Sequence, residues 1–184
     1  MELQFESLSP EQAANSDAKI IITTKDEAQI VSKKNILLDT EFDKYPALAK
    51  AKILRSMAGE YADDQITIGI DPGKRIGISV IYLRNEVVSI VESSLEHAVE
   101  QVSALLGGIT SRKRIVRIGD GDISMARRMA RMIKSRFREL VSIEIVDEQG
   151  TSLPQNIDIN RRGARDRSSA RSIAFRTGRL FSYQ

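Results

Sequence analysis

From residue 66 onward two kinds of hydrophobic pattern alternate along the chain, and together they predict its elements. Short apolar runs bounded by polar residues predict strands at Ile66–Ile70, Gly77–Leu83, Glu86–Glu92, Arg114–Ile118 and Val141–Val146. Between them apolar residues recur at helical spacing. Leu95, Val99, Val102 and Leu106 define one helix, Leu95–Leu106, ended by Gly107-Gly108. Met125, Met129, Ile133, Phe137 and Leu140 form the stripe of a second, Ser124–Leu140, and Ala164–Thr177 reads as the last. Asp71-Pro72-Gly73 and Arg84-Asn85 read as tight turns, so the first three strands form an antiparallel meander. Residues 148–163 contain Gly, Pro and Asn and read as a loop.

Upstream the pattern is shorter. Residues 1–18 have little periodicity and read as an arm or a first edge strand. Lys19–Thr23 and Asn35–Asp39 predict two strands, and Thr24-x-x-Glu27 has capping-box spacing, which predicts a short helix to about Ser32. Tyr45–Ala58 places Leu48, Ala51, Leu54 or Arg55, and Ala58 on one face of a helix that Gly59 ends. The polar stretch Glu60–Gln65 then separates a small β-α-β-α extension, 1–64, from a body, 65–184. The body runs β-β-β-α-β-α-β-α. Right-handed crossovers after the meander set its first, fourth and fifth strands side by side and parallel. That is the order of a ribonuclease-H-like α/β fold, with a mixed five-stranded sheet and helices on both faces.

Composition narrows the chemistry. The chain of 184 residues has no cysteine and one histidine, His97, which excludes disulfides, thiolate zinc sites and histidine-rich catalysis. His97 falls near the start of a helix and reads as exposed. No apolar run reaches the roughly 18 residues that span a bilayer, and the acidic stretch Met1–Glu11 lacks the pattern of a signal peptide. The expectation is a cytoplasmic protein with no membrane partner. Charge is unevenly spread. Residues 1–64 hold 8 Lys/Arg against 12 Asp/Glu, a net −4, whereas 112–184 hold 17 against 8, a net +9. Arginine forks suit phosphate geometry, so the body is expected to meet a polyanion. Arg127, Arg128, Arg131, Lys134 and Arg138 line the helix after the fourth strand with no acid in the row, and a second Arg cluster spans 161–179. Nine aromatics and no Trp give little support to base stacking, so a structured, backbone-read substrate fits better.

Active sites in open α/β sheets lie beyond the carboxyl ends of the parallel strands. All three such ends carry acids: Asp71, then Asp120 and Asp122, then Asp147 and Glu148. Asp166, near the start of the last helix, is placed to join them. Crowded carboxylates repel unless a cation sits between them, and Mg²⁺ or Mn²⁺ takes oxygen ligands of this kind. Asp122 precedes a helix and reads as its N-cap, which leaves Asp120 as the ligand of that strand end. The exposed cations nearest the crevice are Lys74 and Arg75 in the first turn, and Arg161, Arg162 and Arg165 beside Asp166; these are the expected phosphate contacts.

Three segments in order carry a resemblance. Ile66–Ile81 (ITIGIDPGKRIGISVI) is similar to the opening hairpin of the RuvC and YqgF group of Holliday junction resolvases. Val146–Ser152 (VDEQGTS) resembles a segment of the YqgF branch, and Asp166-x-x-x-Ala170-x-x-Ile173-Ala174 resembles the group's last helix. The resemblance covers about 66–178 and implies a metal-dependent nuclease acting on branched DNA or structured RNA. It points to Asp71 and Asp166 as metal ligands, to Asp120 through the RuvC branch and to Glu148 through the YqgF branch. Two positions depart from the pattern. The second acid of the RuvC last helix falls at Ser169, and the Arg after Glu in the YqgF segment is Gln149. The first departure keeps open an alternative from another class, a nucleic-acid-binding or scaffold protein on the same fold. The extension has no counterpart in the group. Its negative charge argues for packing, edge protection or self-association, and a homodimer is compatible with this.

Overall fold

A computed structural model of the protein describes residues 4–32, 35–58, 64–148 and 162–182. The chain divides into two compact units, Met1–Ala62 and Asp63–Gln184. Among the described residues no helix is long and apolar enough to cross a membrane.

In the first unit, α1 (Pro10–Ala14) precedes β1 (Ile21–Thr23), α2 (Ala28–Val31) and β2 (Ile36–Leu38), followed by α3 (Asp39–Lys44) and α4 (Pro46–Met57). The stretch expected as an arm or edge strand therefore contains a helix. Ser9 caps it by accepting from the Gln12 N–H, and the Gln12 side chain returns the bond to the Ser9 N–H. Thr24 and Glu27 do pair, as the Glu27 N–H donates to Thr24 Oγ1. The strand expected to run through Asp39 ends at Leu38, where Glu41 accepts the Leu38 N–H and starts α3. β1 and β2 are parallel, Ile21 facing Ile36, and Ala13, Ile21 and Val31 with Ile36 form a small core. On α4, Ala51 and Leu54 are buried and Arg55 is exposed.

The second unit holds β3 (Gln65–Asp71), β4 (Ile76–Tyr82), β5 (Asn85–Glu92), α5 (Leu95–Gly108), β6 (Lys113–Gly119), α6 (Ile123–Phe137), β7 (Ser142–Val146), α7 (Arg162–Phe175) and β8 (Arg179–Leu180). One mixed sheet has the order β5-β4-β3-β6-β7-β8. β3, β4 and β5 form the antiparallel meander, and β3, β6 and β7 are parallel neighbours. Two details differ from expectation. The β4–β5 turn is Leu83-Arg84, one residue earlier than Arg84-Asn85; both residues have positive φ, as a two-residue hairpin with right-handed twist requires. The sheet has six strands rather than five, because β8 adds antiparallel to β7. The loop expected over 148–163 lies outside the described residues except at its ends.

The alternation of β3 sorts the faces. Ile66, Ile68 and Ile70 are fully buried on one face, while Thr67, Gly69 and Asp71 point to the other. α5 packs with Leu95, Val99, Val102 and Leu106 inward, joined by Ala98 and Leu105. α6 buries Ala126, Met129, Ala130 and Ile133, a narrower stripe than expected; it ends at Phe137, and Leu140 is 69% exposed in the short 3-10 turn that follows. Its basic face is also not free of acids, since Arg128 pairs with Glu96 at 2.8 Å and Lys134 with Glu139 at 3.1 Å. His97 is exposed, its N–H capped by Ser94.

α7 lies on the Thr67–Gly69–Asp71 face, and glycine makes this possible. A β-carbon on Gly69 would strike the Ala170 carbonyl and stand 2.8 Å from Ala174 Cβ; one on Gly77 would strike the Asp166 carbonyl. Helix backbone thus rests on strand backbone, with only Ala170 and Ala174 methyls between them. Arg117 fastens the far end. It pairs with Glu144 at 2.9 Å beneath the helix and donates to the Ala174 carbonyl at 2.7 Å. Glu144 also accepts the Gly178 N–H at 3.1 Å. Gly69→Ala should therefore destabilise the body by about 1–3 kcal/mol or more through overpacking against backbone that cannot give way. Thermal and urea unfolding followed by circular dichroism would check this; an unchanged midpoint would show that the seating tolerates a methyl group.

Candidate active site

Three elements bring carboxylates to the carboxyl ends of the parallel strands. Asp71 is the last residue of β3 rather than part of the following turn, so the sheet holds it and aims it at the α7 face. Glu148 follows β7 by two residues. Its carboxylate lies over Gly119 and Gly121, and the Gly121 N–H donates to Glu148 Oε1 at 3.2 Å. Side chains at these two glycines would occupy the carboxylate's space. Asp166 is in the first turns of α7, placed by the contact of its carbonyl with Gly77.

Asp120 stitches the ends of β6 and β7. Its N–H donates to the Val146 carbonyl at 3.0 Å, and its Oδ1 accepts the Glu148 N–H at 3.0 Å. It fixes the backbone from which Glu148 reaches in. Asp122 caps α6, accepting the Met125 N–H at 2.9 Å. Asp147 is exposed.

The electrostatics are tense. Burial pushes Asp71 well above the ordinary aspartate range, to about 6; the neighbouring Glu148 charge adds to this and Asp166 adds less. The Ser169 hydroxyl, which donates to Asp71, and the Arg165 charge act in the opposite direction. Glu148 is likewise raised, first by burial and then by Asp120, against the Gly121 hydrogen bond. Asp166 Oδ2 is buried and has no hydrogen bond; its nearest cation is Arg75 Nε at 3.5 Å.

Of the cations expected at the crevice, Lys74 and Arg75 are in the β3–β4 turn and exposed, and Arg165 is exposed on α7. Arg161 lies outside the described residues, as does the side chain of Arg162, whose backbone opens α7. Sequence reasoning treated Ser169 as a missing acid; the fold gives it a hydrogen bond to Asp71. It also passed over Arg117, Glu144 and Gly77, which position the helix. Their only sequence signals are a charge or a glycine inside a strand, and both become informative once a helix is known to cross there. All the converging groups are hard oxygen donors, yet among the described residues no three acids are gathered closely enough to enclose a metal ion by themselves. No protein-family model matches this chain, and no curated protein matches it.

The raised Asp71 carries a stability cost with a definite sign. Between about pH 4 and 6 the folded chain binds more protons at this site than the unfolded chain, so stability falls as pH rises through that window. Asp71→Asn should therefore raise the melting temperature at pH 7.5, and the gain should fade as pH is lowered from 6 to 4. Melting temperatures of both proteins over this range would test it. A variant less stable than the parent at pH 7.5 would mean that Asp71 is compensated rather than strained.

Proposed function

We propose that this protein is a Mg²⁺- or Mn²⁺-dependent phosphodiesterase of the ribonuclease-H-like kind, similar to the RuvC and YqgF resolvases, that cleaves branched DNA or structured RNA. The observation that carries the reading is the convergence of Asp71, Glu148 and Asp166 from β3, the end of β7 and α7, with the Glu148 and Asp166 charges both acting on Asp71 and one buried carboxylate oxygen left without a hydrogen bond. A meander followed by parallel β3, β6 and β7, with α7 laid on the face of β3 and β4, supports the fold side of it.

The donor set fits a hard divalent cation. Mg²⁺ commonly binds through one or two carboxylates and completes its shell with water and substrate phosphate rather than in an all-protein cage. That agrees with the lack of an enclosing trio of acids. Asp71, Asp120 and Asp166 would hold the metal, with Glu148 in support. Once bound, such ions supply water activation and stabilisation of the leaving oxygen. The chain's own part is orientation. Asp120 fixes the Glu148 backbone, Ser169 fixes the Asp71 carboxylate, and the Gly77 contact fixes Asp166. Lys74, Arg75 and Arg165, with Arg161 and Arg162 shortly before Arg165 in the chain, would draw in phosphates, and their charge would make affinity fall steeply with salt. The Arg75–Asp166 contact favours a second reading, a non-catalytic nucleic-acid-binding protein in which arginine takes the place of the cation.

Full-length protein with Mg²⁺ or Mn²⁺ should cut labelled four-way junctions, forks or RNA hairpins. Asp71→Asn should slow cleavage about a hundredfold or more, equivalent to the loss of ~3 kcal/mol of charge stabilisation, with the fold intact by circular dichroism. No cleavage of any of these substrates with either metal, alongside retained binding, would establish the non-catalytic reading instead.

A further inference from the structure

α7 has two basic flanks, and the acid cluster uses only one. Arg165 and Ser169 are one turn apart on the side that reaches Asp71. A two-residue offset turns about 200° around an α-helix, so Arg167, Arg171 and Phe175 form a row at i, i+4, i+8 on the opposite side. Both arginines are exposed, and among the described residues neither makes a hydrogen bond or ion pair. Phe175 is 59% exposed. The only acid in α7 is Asp166, which faces the sheet, so α7 itself contributes only cations to this flank.

The two flanks are connected. A β-carbon on Gly163 would stand 3.3 Å from Arg75 Nη2 and 3.5 Å from Arg167 Nη1. The two guanidinium nitrogens are thus within about 7 Å of each other, and among the described residues the acid beside them is Asp166, which contacts Arg75. Like charges this close are costly unless an anion bridges them, and a phosphate presents oxygens to both forks. Arg75, Arg167 and Arg171 thus continue the cationic rim of the acid cluster along α7 towards an exposed aromatic ring.

We propose that the Arg167–Arg171–Phe175 flank holds an unpaired arm of the nucleic acid, with phosphates on the arginines and a base stacked on Phe175, while the paired part lies in the Asp71 crevice. This rests on the nucleic-acid reading of that crevice and specifies its substrate class as forked: a duplex with a single-stranded arm that leaves over the start of α7. A continuous duplex is too stiff to follow both flanks of one helix, whereas an unpaired strand bends freely and offers base faces to an aromatic ring.

Fluorescence anisotropy of the full-length protein in Ca²⁺ or EDTA would test this, with a blunt duplex and the same duplex carrying a ten-nucleotide unpaired arm, each as DNA and as RNA. The forked probe should bind at least about tenfold more tightly than the duplex, and the comparison of DNA with RNA shows which polymer it is. Arg167→Gln with Arg171→Gln should lower the slope of log affinity against log salt on the forked probe by about 1.4, at about 0.7 per single-strand phosphate contact. Phe175→Leu should weaken the forked probe about fivefold to a hundredfold, within the range of one base–aromatic stack, and leave the duplex unchanged. Equal binding of fork and duplex, or variants that bind the fork like the parent, would overturn the proposal. Cleavage distinguishes its failure from that of the nuclease reading. A parent that cuts but has no fork preference loses only this surface, and a parent that prefers forks but never cuts loses only the catalysis.

Discussion

The contact of α7 backbone with the glycines of β3 and β4 decides where Asp166 stands relative to Asp71. A helix normally rides about 10 Å from a sheet on a layer of side chains. Here Gly69 and Gly77 remove that layer, and Ala170 and Ala174 supply only methyl groups. The largely buried Arg117–Glu144 pair holds the other end by taking the Ala174 carbonyl, which the helix terminus leaves without a partner, and the Gly178 N–H just beyond the helix. A buried ion pair adds little net stability but is costly to break on one side, so its effect is to specify position. The carboxylates are thereby set by backbone geometry at one end of α7 and by a two-sided polar lock at the other.

That rigidity permits the charge arrangement at the crevice. Carboxylates free to move would turn away from one another towards water. Asp71 cannot, being the final residue of a paired strand with Ser169 above it; Glu148 is held over Gly119 and Gly121, with Asp120 fixing its backbone. The field is relieved only in part by Arg75 and Arg165 at its rim. On the proposed reading, carboxylates held in repulsion are preorganised for a metal cation, and the cost falls on stability, as is usual for functional sites. On the same reading, the basic surface around the crevice draws in a polyanion, and a divalent ion shares that polyanion's phosphate oxygens with the carboxylates.

The parts of the fold that were legible in the sequence are those whose signal is local. The five strands of 66–146 were readable because isoleucine and valine runs bounded by turns have few other uses, and α5 because its apolar residues recur every three or four positions. α1, α3 and β8 were not. α1 and α3 are five and six residues long and depend on single caps, Ser9 with Gln12 and Glu41 with Leu38. β8 is two exposed residues with no apolar signal, and it is a strand only because β7 offers an open edge there. The stripe of α6 is narrower than its apolar pattern, centred on Met129 and Ile133 with Ala126 and Ala130, because Met125 and Leu140 are apolar by type but not by location.

The same division runs through the candidate site. Sequence alone determined that acids end the parallel strands, Asp71, Asp120 with Asp122, and Asp147 with Glu148, and that Asp166 lies near the start of the last helix, because strand ends and helix starts follow from local pattern and the crossover rule. It could not assign their roles. Tertiary structure made Asp120 the anchor of Glu148's backbone, gave Ser169 to Asp71, left one oxygen of Asp166 without a hydrogen bond, and put Arg117 beneath a helix 57 residues further along the chain. Each of these is a contact between segments distant in sequence, and its geometry depends on how closely two backbones approach. That distance was decided by glycines whose meaning appears only when the helix above them is in place.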